Sequence, residues 1–105
     1  MDHVKMAHVS EFQEERYKTI TLLGRHIGIF RRDDGSFFAV EISCKHQGAN
    51  LLAGYHGGTI VTCPRHYWQY DLESGHCLNH ESVPLRHYGV RREGDDILVT
   101  ITPVD

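Results

Sequence analysis

Cys44-Lys45-His46 and, sixteen residues later, Cys63-Pro64-Arg65-His66 are the two stretches that decide how this chain is read. Each offers one thiolate and one imidazole. Two short loops of this kind, brought face to face, can place both sulfurs on one metal ion and both imidazoles on a second. The third cysteine, Cys77, stands outside the pattern. An odd count of three is too small for a disulfide framework and agrees with a reducing compartment.

Two thiolates and two imidazoles are the ligand set of a Rieske [2Fe-2S] centre. Replacing two of four thiolates by neutral imidazoles removes negative charge from the site, so adding an electron becomes easier. Such centres span roughly −150 to +300 mV, against about −400 mV for plant-type ferredoxins. The pattern therefore points to a one-electron carrier. The same residue types could instead hold a structural zinc in a Cys2His2 arrangement, although zinc modules usually pair like with like and both pairs here are mixed.

The flanking residues extend the pattern. The runs Cys44-Lys45-His46-Gln47-Gly48-Ala49-Asn50-Leu51, Gly57-Gly58-Thr59-Ile60, Cys63-Pro64-Arg65-His66-Tyr67-Trp68-Gln69-Tyr70-Asp71 and Ser74-Gly75 resemble the Rieske ferredoxin family. Pro84-Leu85 and Gly94-Asp95-Asp96-Ile97-Leu98-Val99 resemble its end, so the likeness covers nearly the whole chain. Within the family, the stretch from His66 to Asp71 and Ser74-Gly75-His76 look most like the small ferredoxins of bacterial aromatic-ring monooxygenases and dioxygenases.

The resemblance implies an all-β Rieske fold, an antiparallel β-sandwich framework with an inserted cluster-binding subdomain. It implies one [2Fe-2S] cluster per chain, with Cys44 and Cys63 on the inner iron and His46 and His66 on the outer one. The imidazole edges would be the route for electrons and the tip where partners dock, a reductase as donor and an oxygenase or other oxidoreductase as acceptor. Gly48 would let the backbone approach the cluster, Trp68 would shield it or face a partner, and Pro84 would belong to a third covering loop. Tyr70 would raise the potential if its hydroxyl reached the Cys63 sulfur. The cysteines that form an inter-loop disulfide in quinol-oxidising relatives are replaced by Ala49 and Arg65, and Trp68 stands where those proteins have a serine, so the potential should lie toward the low end of the range.

Composition sets the outer limits. The chain of 105 residues is long enough for one domain with a modest core, expected over 1–105, with the cluster subdomain at about 44–79 inside a framework of 1–43 and 80–105. Hydrophobic content of 40% and charged content of 24% are globular averages. Net charge is −3 without basic clusters, which argues against nucleic acid or membrane surfaces as partners. The first residues lack a signal-like apolar run and no stretch is long enough to span a membrane, so a cytoplasmic protein is expected.

Along the chain, β-rich runs at Val4–Val9, 17–23, 25–31 and 37–42 alternate with turn residues, and no segment has the apolar period of a long helix. Ser10 with Gln13 fits a helix cap. Thr59–Thr62, Tyr67–Asp71, Leu85–Arg92 and Ile97–Thr102 read as further strands. Between His46 and Thr62 there is no charged side chain, which suggests a neutral tip carrying Leu51, Leu52 and Tyr55 for brief docking. His56, His76 and His80 read as solvated loop residues, and Cys77 as a small buried side chain.

No nucleophile or acid–base pair stands out, so electron transfer without turnover of its own is the expected role. Three other roles use the same domain: a small subunit of a multisubunit oxidoreductase such as a nitrite reductase, a redox sensor, or a zinc-stapled interaction module.

Overall fold

The computed structural model describes residues 3–45, 48–53, 55, 58–65 and 67–104. The described residues form eight strands: β1 His3–His8, β2 Tyr17–Leu22, β3 Arg25–Arg31, β4 Phe37–Glu41, β5 Ile60–Thr62, β6 Gln69–Asp71, β7 His87–Glu93 and β8 Asp96–Pro103. The only helical element among the described residues is one 3-10 turn, Val9–Phe12. Among those residues no helix is long and apolar enough to cross a membrane.

The chain divides into two compact units. The first joins Met1–Glu41 to Arg86–Asp105 and holds one six-stranded antiparallel sheet in the order β1-β8-β7-β4-β3-β2. Strands β2 to β4 form the meander that the turn residues foretell. Its core is built from Phe12, Ile27, Ile29, Ala39, Ile97 and Val99, all fully buried, with Ala7 and Tyr88 beside them. Ile97 and Val99 show the period-two alternation of a strand with one face inward.

The 3-10 turn exists to deliver Phe12 to that core, where its ring meets Phe37 edge-on at 4.9 Å. Its cap is His8 and not Ser10. The His8 ring nitrogen Nδ1 accepts the Ser10 amide at 3.1 Å, and the Glu11 carboxylate accepts the His8 amide at 2.9 Å. Imidazole and carboxylate thus satisfy two amides that strand and turn leave open.

Gly89 marks a register shift between β7 and β8. Its amide donates to the Thr100 hydroxyl at 2.9 Å, and that hydroxyl donates onward to the Thr102 carbonyl at 2.8 Å. Thr100 is buried but fully satisfied. A Cβ on Gly89 would stand 2.7 Å from the Thr100 methyl.

The second unit is the continuous segment Ile42–Leu85, entered from β4 and left toward β7. It reaches beyond 44–79 because the stretch after Asn79 folds back on it: Leu85 is fully buried and its amide donates to the Gly75 carbonyl at 2.8 Å. Strands β5 and β6 pair antiparallel, with Val61 opposite Tyr70 and Thr62 opposite Gln69. Leu51, Leu72 and Leu85 join Val61 and Tyr70 in its interior.

Candidate metal centre

Both cysteines of the paired motifs open a tight loop, and the two loops close in the same way. In the first, the Cys44 amide donates to the Ala49 carbonyl at 2.9 Å and the Gly48 amide donates to the Cys44 carbonyl at 2.7 Å. In the second, the Cys63 amide donates to the Trp68 carbonyl at 2.7 Å and the Tyr67 amide donates to the Cys63 carbonyl at 3.0 Å. Sequence spacing offers no hint of this equivalence, since the loops share little beyond their ligand types.

The equivalence extends to backbone conformation. The residue four after each cysteine is left-handed: Gly48 with φ 69° and Tyr67 with φ 60°. Glycine adopts this region freely, and no described protein atom lies within 4 Å of the Cβ that Gly48 lacks. Any other residue costs roughly 1–2 kcal/mol there, so Tyr67 is a strained position.

Cys44 and Cys63 are both buried, at 3% and 1% exposure, and neither is in a disulfide. Two buried sulfurs held on rigid turns suit soft metal ions that take thiolate ligands. His46 and His66 lie outside the described residues, as does His56. Among the described residues no three His, Cys, Asp or Glu side chains converge on one point, so the described part of the site contributes sulfur alone.

Tyr70 ties the two loops together. It pairs with Val61 across the β5–β6 ladder and is fully buried, so its ring runs through the interior of the unit. Its hydroxyl comes within 3.8 Å of Cys44 Sγ and accepts the Lys45 amide at 3.3 Å. The sulfur it reaches belongs to the first loop, whereas the sequence suggested Cys63. Burial pushes its phenol up to about 12, the Ser82 hydroxyl acts against that rise, and the hydrogen bond to Cys44 adds to it. The group therefore remains a protonated donor. With the Lys45 amide on one lone pair, its single proton is available to the Cys44 sulfur.

A third segment grips the second loop, by side chains that no motif singles out. The Asn79 amide group donates to the Tyr67 carbonyl at 3.0 Å while its Oδ1 accepts the Gln69 amide at 3.0 Å. His80 is an exposed loop residue as expected, and its ring stacks on Trp68 at 4.5 Å and 16°. Trp68 is half-buried beneath it. Pro84 is exposed just before buried Leu85, where a turn proline belongs. Cys77 is half-buried and its thiol lies 3.7 Å from Asn79 Oδ1.

The expected neutral tip changes composition. Leu51 and Leu52 are core residues, 1% and 8% exposed, and Tyr55 is half-buried with its hydroxyl donating to the Gly58 carbonyl at 2.6 Å. The exposed large apolar side chains of this unit are instead Ile60, Tyr67, Leu78 and Val83. Burial of the leucines follows from the amides around them: the Leu51 amide donates to the Ile42 carbonyl at 2.9 Å and the Leu52 amide to Asn50 Oδ1 at 3.0 Å, turning the segment inward.

Comparison with known proteins places this arrangement. A sequence model of the Rieske [2Fe-2S] domain matches residues 2–94. The chain is 35% identical over 73 residues to cholesterol 7-desaturase of Hemicentrotus pulcherrimus, covering 69% of this chain but 15% of that enzyme. It is 29% identical over 84 residues to the ferredoxin component of the alkene monooxygenase system of Xanthobacter autotrophicus, covering 78% of this chain and 68% of that one. The solved ferredoxin of carbazole 1,9a-dioxygenase from Nocardioides aromaticivorans superposes with a TM-score of 0.78 at 25% identity, over 97% of this chain and all of that one. The chain thus spans about a seventh of the first curated relatives it matches and about two thirds of the ferredoxin component.

Proposed function

Because this chain belongs to the Rieske [2Fe-2S] domain family, we propose that it is a one-electron carrier that takes electrons from a reductase and delivers them to a terminal oxygenase. One [2Fe-2S] cluster per chain supplies a single one-electron couple when bound. The chain acts as a component of an oxidoreductase system and turns over no substrate of its own.

The observation that supports this reading is the pair of buried cysteines, neither in a disulfide, on two loops closed by the same hydrogen bonds. Cys44 and Cys63 would hold one iron, and His46 and His66 would hold the other. The Tyr70 hydroxyl lies 3.8 Å from the Cys44 sulfur and, as donor to a metal-bound thiolate, would stabilise negative charge there. Trp68, stacked against His80, would shield one side of the second loop. Gly48 supplies the left-handed turn that closes the first loop. Pro84 directs the third segment into Leu85.

The likeness to the monooxygenase and dioxygenase ferredoxins supports an oxygenase as acceptor. The reductase follows from the need to refill a carrier one electron at a time. A soluble, cytoplasmic location fits such a shuttle.

The test is the visible and low-temperature EPR spectrum of the purified protein before and after dithionite. A red-brown sample that gives a rhombic signal of low average g on reduction is expected. Cys44→Ser and Cys63→Ser should each abolish it, while Cys77→Ser should keep it. A colourless protein with stoichiometric zinc would overturn the proposal.

A further inference from the structure

Tyr67 holds a strained backbone while its side chain has no partner among the described residues. Its amide and carbonyl close the second loop, bonded to the Cys63 carbonyl and to the Asn79 amide group. Tyr67 is 71% exposed, the largest value among the exposed large apolar residues of this unit. Among the described residues neither ring nor hydroxyl has a partner. Gly48 makes the equivalent turn in the first loop with no side chain at all. The hydrogen bonds that hold the turn are all made by backbone atoms of Tyr67, so among the described residues its side chain does nothing to offset the strain.

Charge adds a second, independent observation. The stretch from Ile42 to Tyr70 carries Lys45 and Arg65 and not one carboxylate, in a chain whose net charge is −3. The two loops thus carry positive charge alone, while all 14 carboxylates of the chain lie elsewhere. Arg65 is exposed, two residues from Tyr67, and forms no ion pair among the described residues.

We infer that Tyr67 and Arg65 form the docking contact for a protein redox partner whose facing surface is acidic around a depression that takes the phenol ring. A tyrosine buries a large area while losing the freedom of only two torsions, and the clamped loop holds it in place before the partner arrives. A guanidinium matches carboxylates in two parallel hydrogen bonds, and a positive loop on a negative protein orients the encounter. This inference rests on the electron-carrier reading above.

The probes are two small haem proteins of opposite surface charge, cytochrome b5 with carboxylates around its haem edge and cytochrome c with lysines there. Titration of the oxidised, cluster-loaded protein should give the lower Kd with cytochrome b5, and added salt should raise that Kd. Tyr67→Gly should raise it at least about fivefold, with the reduction potential unchanged and a melting temperature no lower than the parent's. Arg65→Gln should raise it similarly and flatten its salt dependence.

Tighter binding to cytochrome c would overturn the inference. So would a Tyr67→Gly protein with unchanged Kd, or one whose potential shifts or melting temperature falls, since the ring would then serve the fold or the site. The dithionite-reduced parent separates the two levels of argument. If it fails to reduce ferricyanide, the carrier reading itself is lost; if it reduces ferricyanide but shows none of the cytochrome b5 effects, only the docking contact is.

Discussion

The Tyr70 hydroxyl stands 3.8 Å from the sulfur of Cys44, so a side chain on the strand that follows the second ligand loop reaches the cysteine of the first. A hydrogen bond to a metal-bound thiolate favours whichever redox state carries more negative charge, which is the reduced one. Tyr70→Phe should therefore lower the reduction potential. Loss of about 1 kcal/mol of differential hydrogen bonding corresponds to about 40 mV for one electron. Redox titration of both proteins checks this, and equal potentials would remove the bond from the account.

Asn79 bridges the Tyr67 carbonyl and the Gln69 amide, one residue to either side of Trp68. Asn79→Ala removes both bonds and lets the strained turn at Tyr67 relax. Stability should fall by about 1–2 kcal/mol, and the visible chromophore should bleach several-fold faster in the presence of a chelator. Asn79→Asp keeps an acceptor for the Gln69 amide but loses the donor to Tyr67, so its bleaching rate should fall between the two.

Leu51 is 1% exposed, and a carboxylate in its place would be buried without a partner. Leu51→Asp should destabilise the Ile42–Leu85 unit by more than about 3 kcal/mol. Denaturant unfolding, followed through the chromophore, should show early loss of the site. A variant of parental stability would mean that Leu51 sits at the surface after all.

Gly89→Ala would force a methyl to within 2.7 Å of the Thr100 side chain. Thr100 cannot turn aside cheaply, because it is β-branched, buried, and hydrogen-bonded through its hydroxyl to both Gly89 and Thr102. A loss of about 1–3 kcal/mol is expected, measured by urea unfolding. Gly89→Ala with Thr100→Ser removes the clashing methyl while keeping the hydroxyl, and should recover part of the loss.

What the sequence determined by itself was the chemistry of local groups. Cys44, His46, Cys63 and His66 were legible as candidate ligands because residue type and short spacing are enough to mark a mixed thiolate–imidazole set. The strands were legible because the alternation of Ile97 and Val99, or the apolar run from Ile27 to Phe30, records which face is wetted. Boundaries came within a residue or two, as with Phe37–Glu41 against 37–42.

Tertiary structure decided the partners. The hydroxyl of Tyr70 goes to Cys44 and not Cys63, because β5–β6 pairing turns its ring into the interior. Leu51 and Leu52 are core and not tip, because the backbone of their loop is bonded back to Ile42 and to Asn50. Asn79, His80 and Ser82 meet the second loop and Tyr70 only after a long excursion of chain has closed. Even the left-handed turn at Tyr67 runs against the preference of its own residue and is imposed by the hydrogen bonds around it. Residue type and spacing fix which groups can act, but the contacts each group makes depend on segments far away in sequence. Only the folded chain brings those segments together.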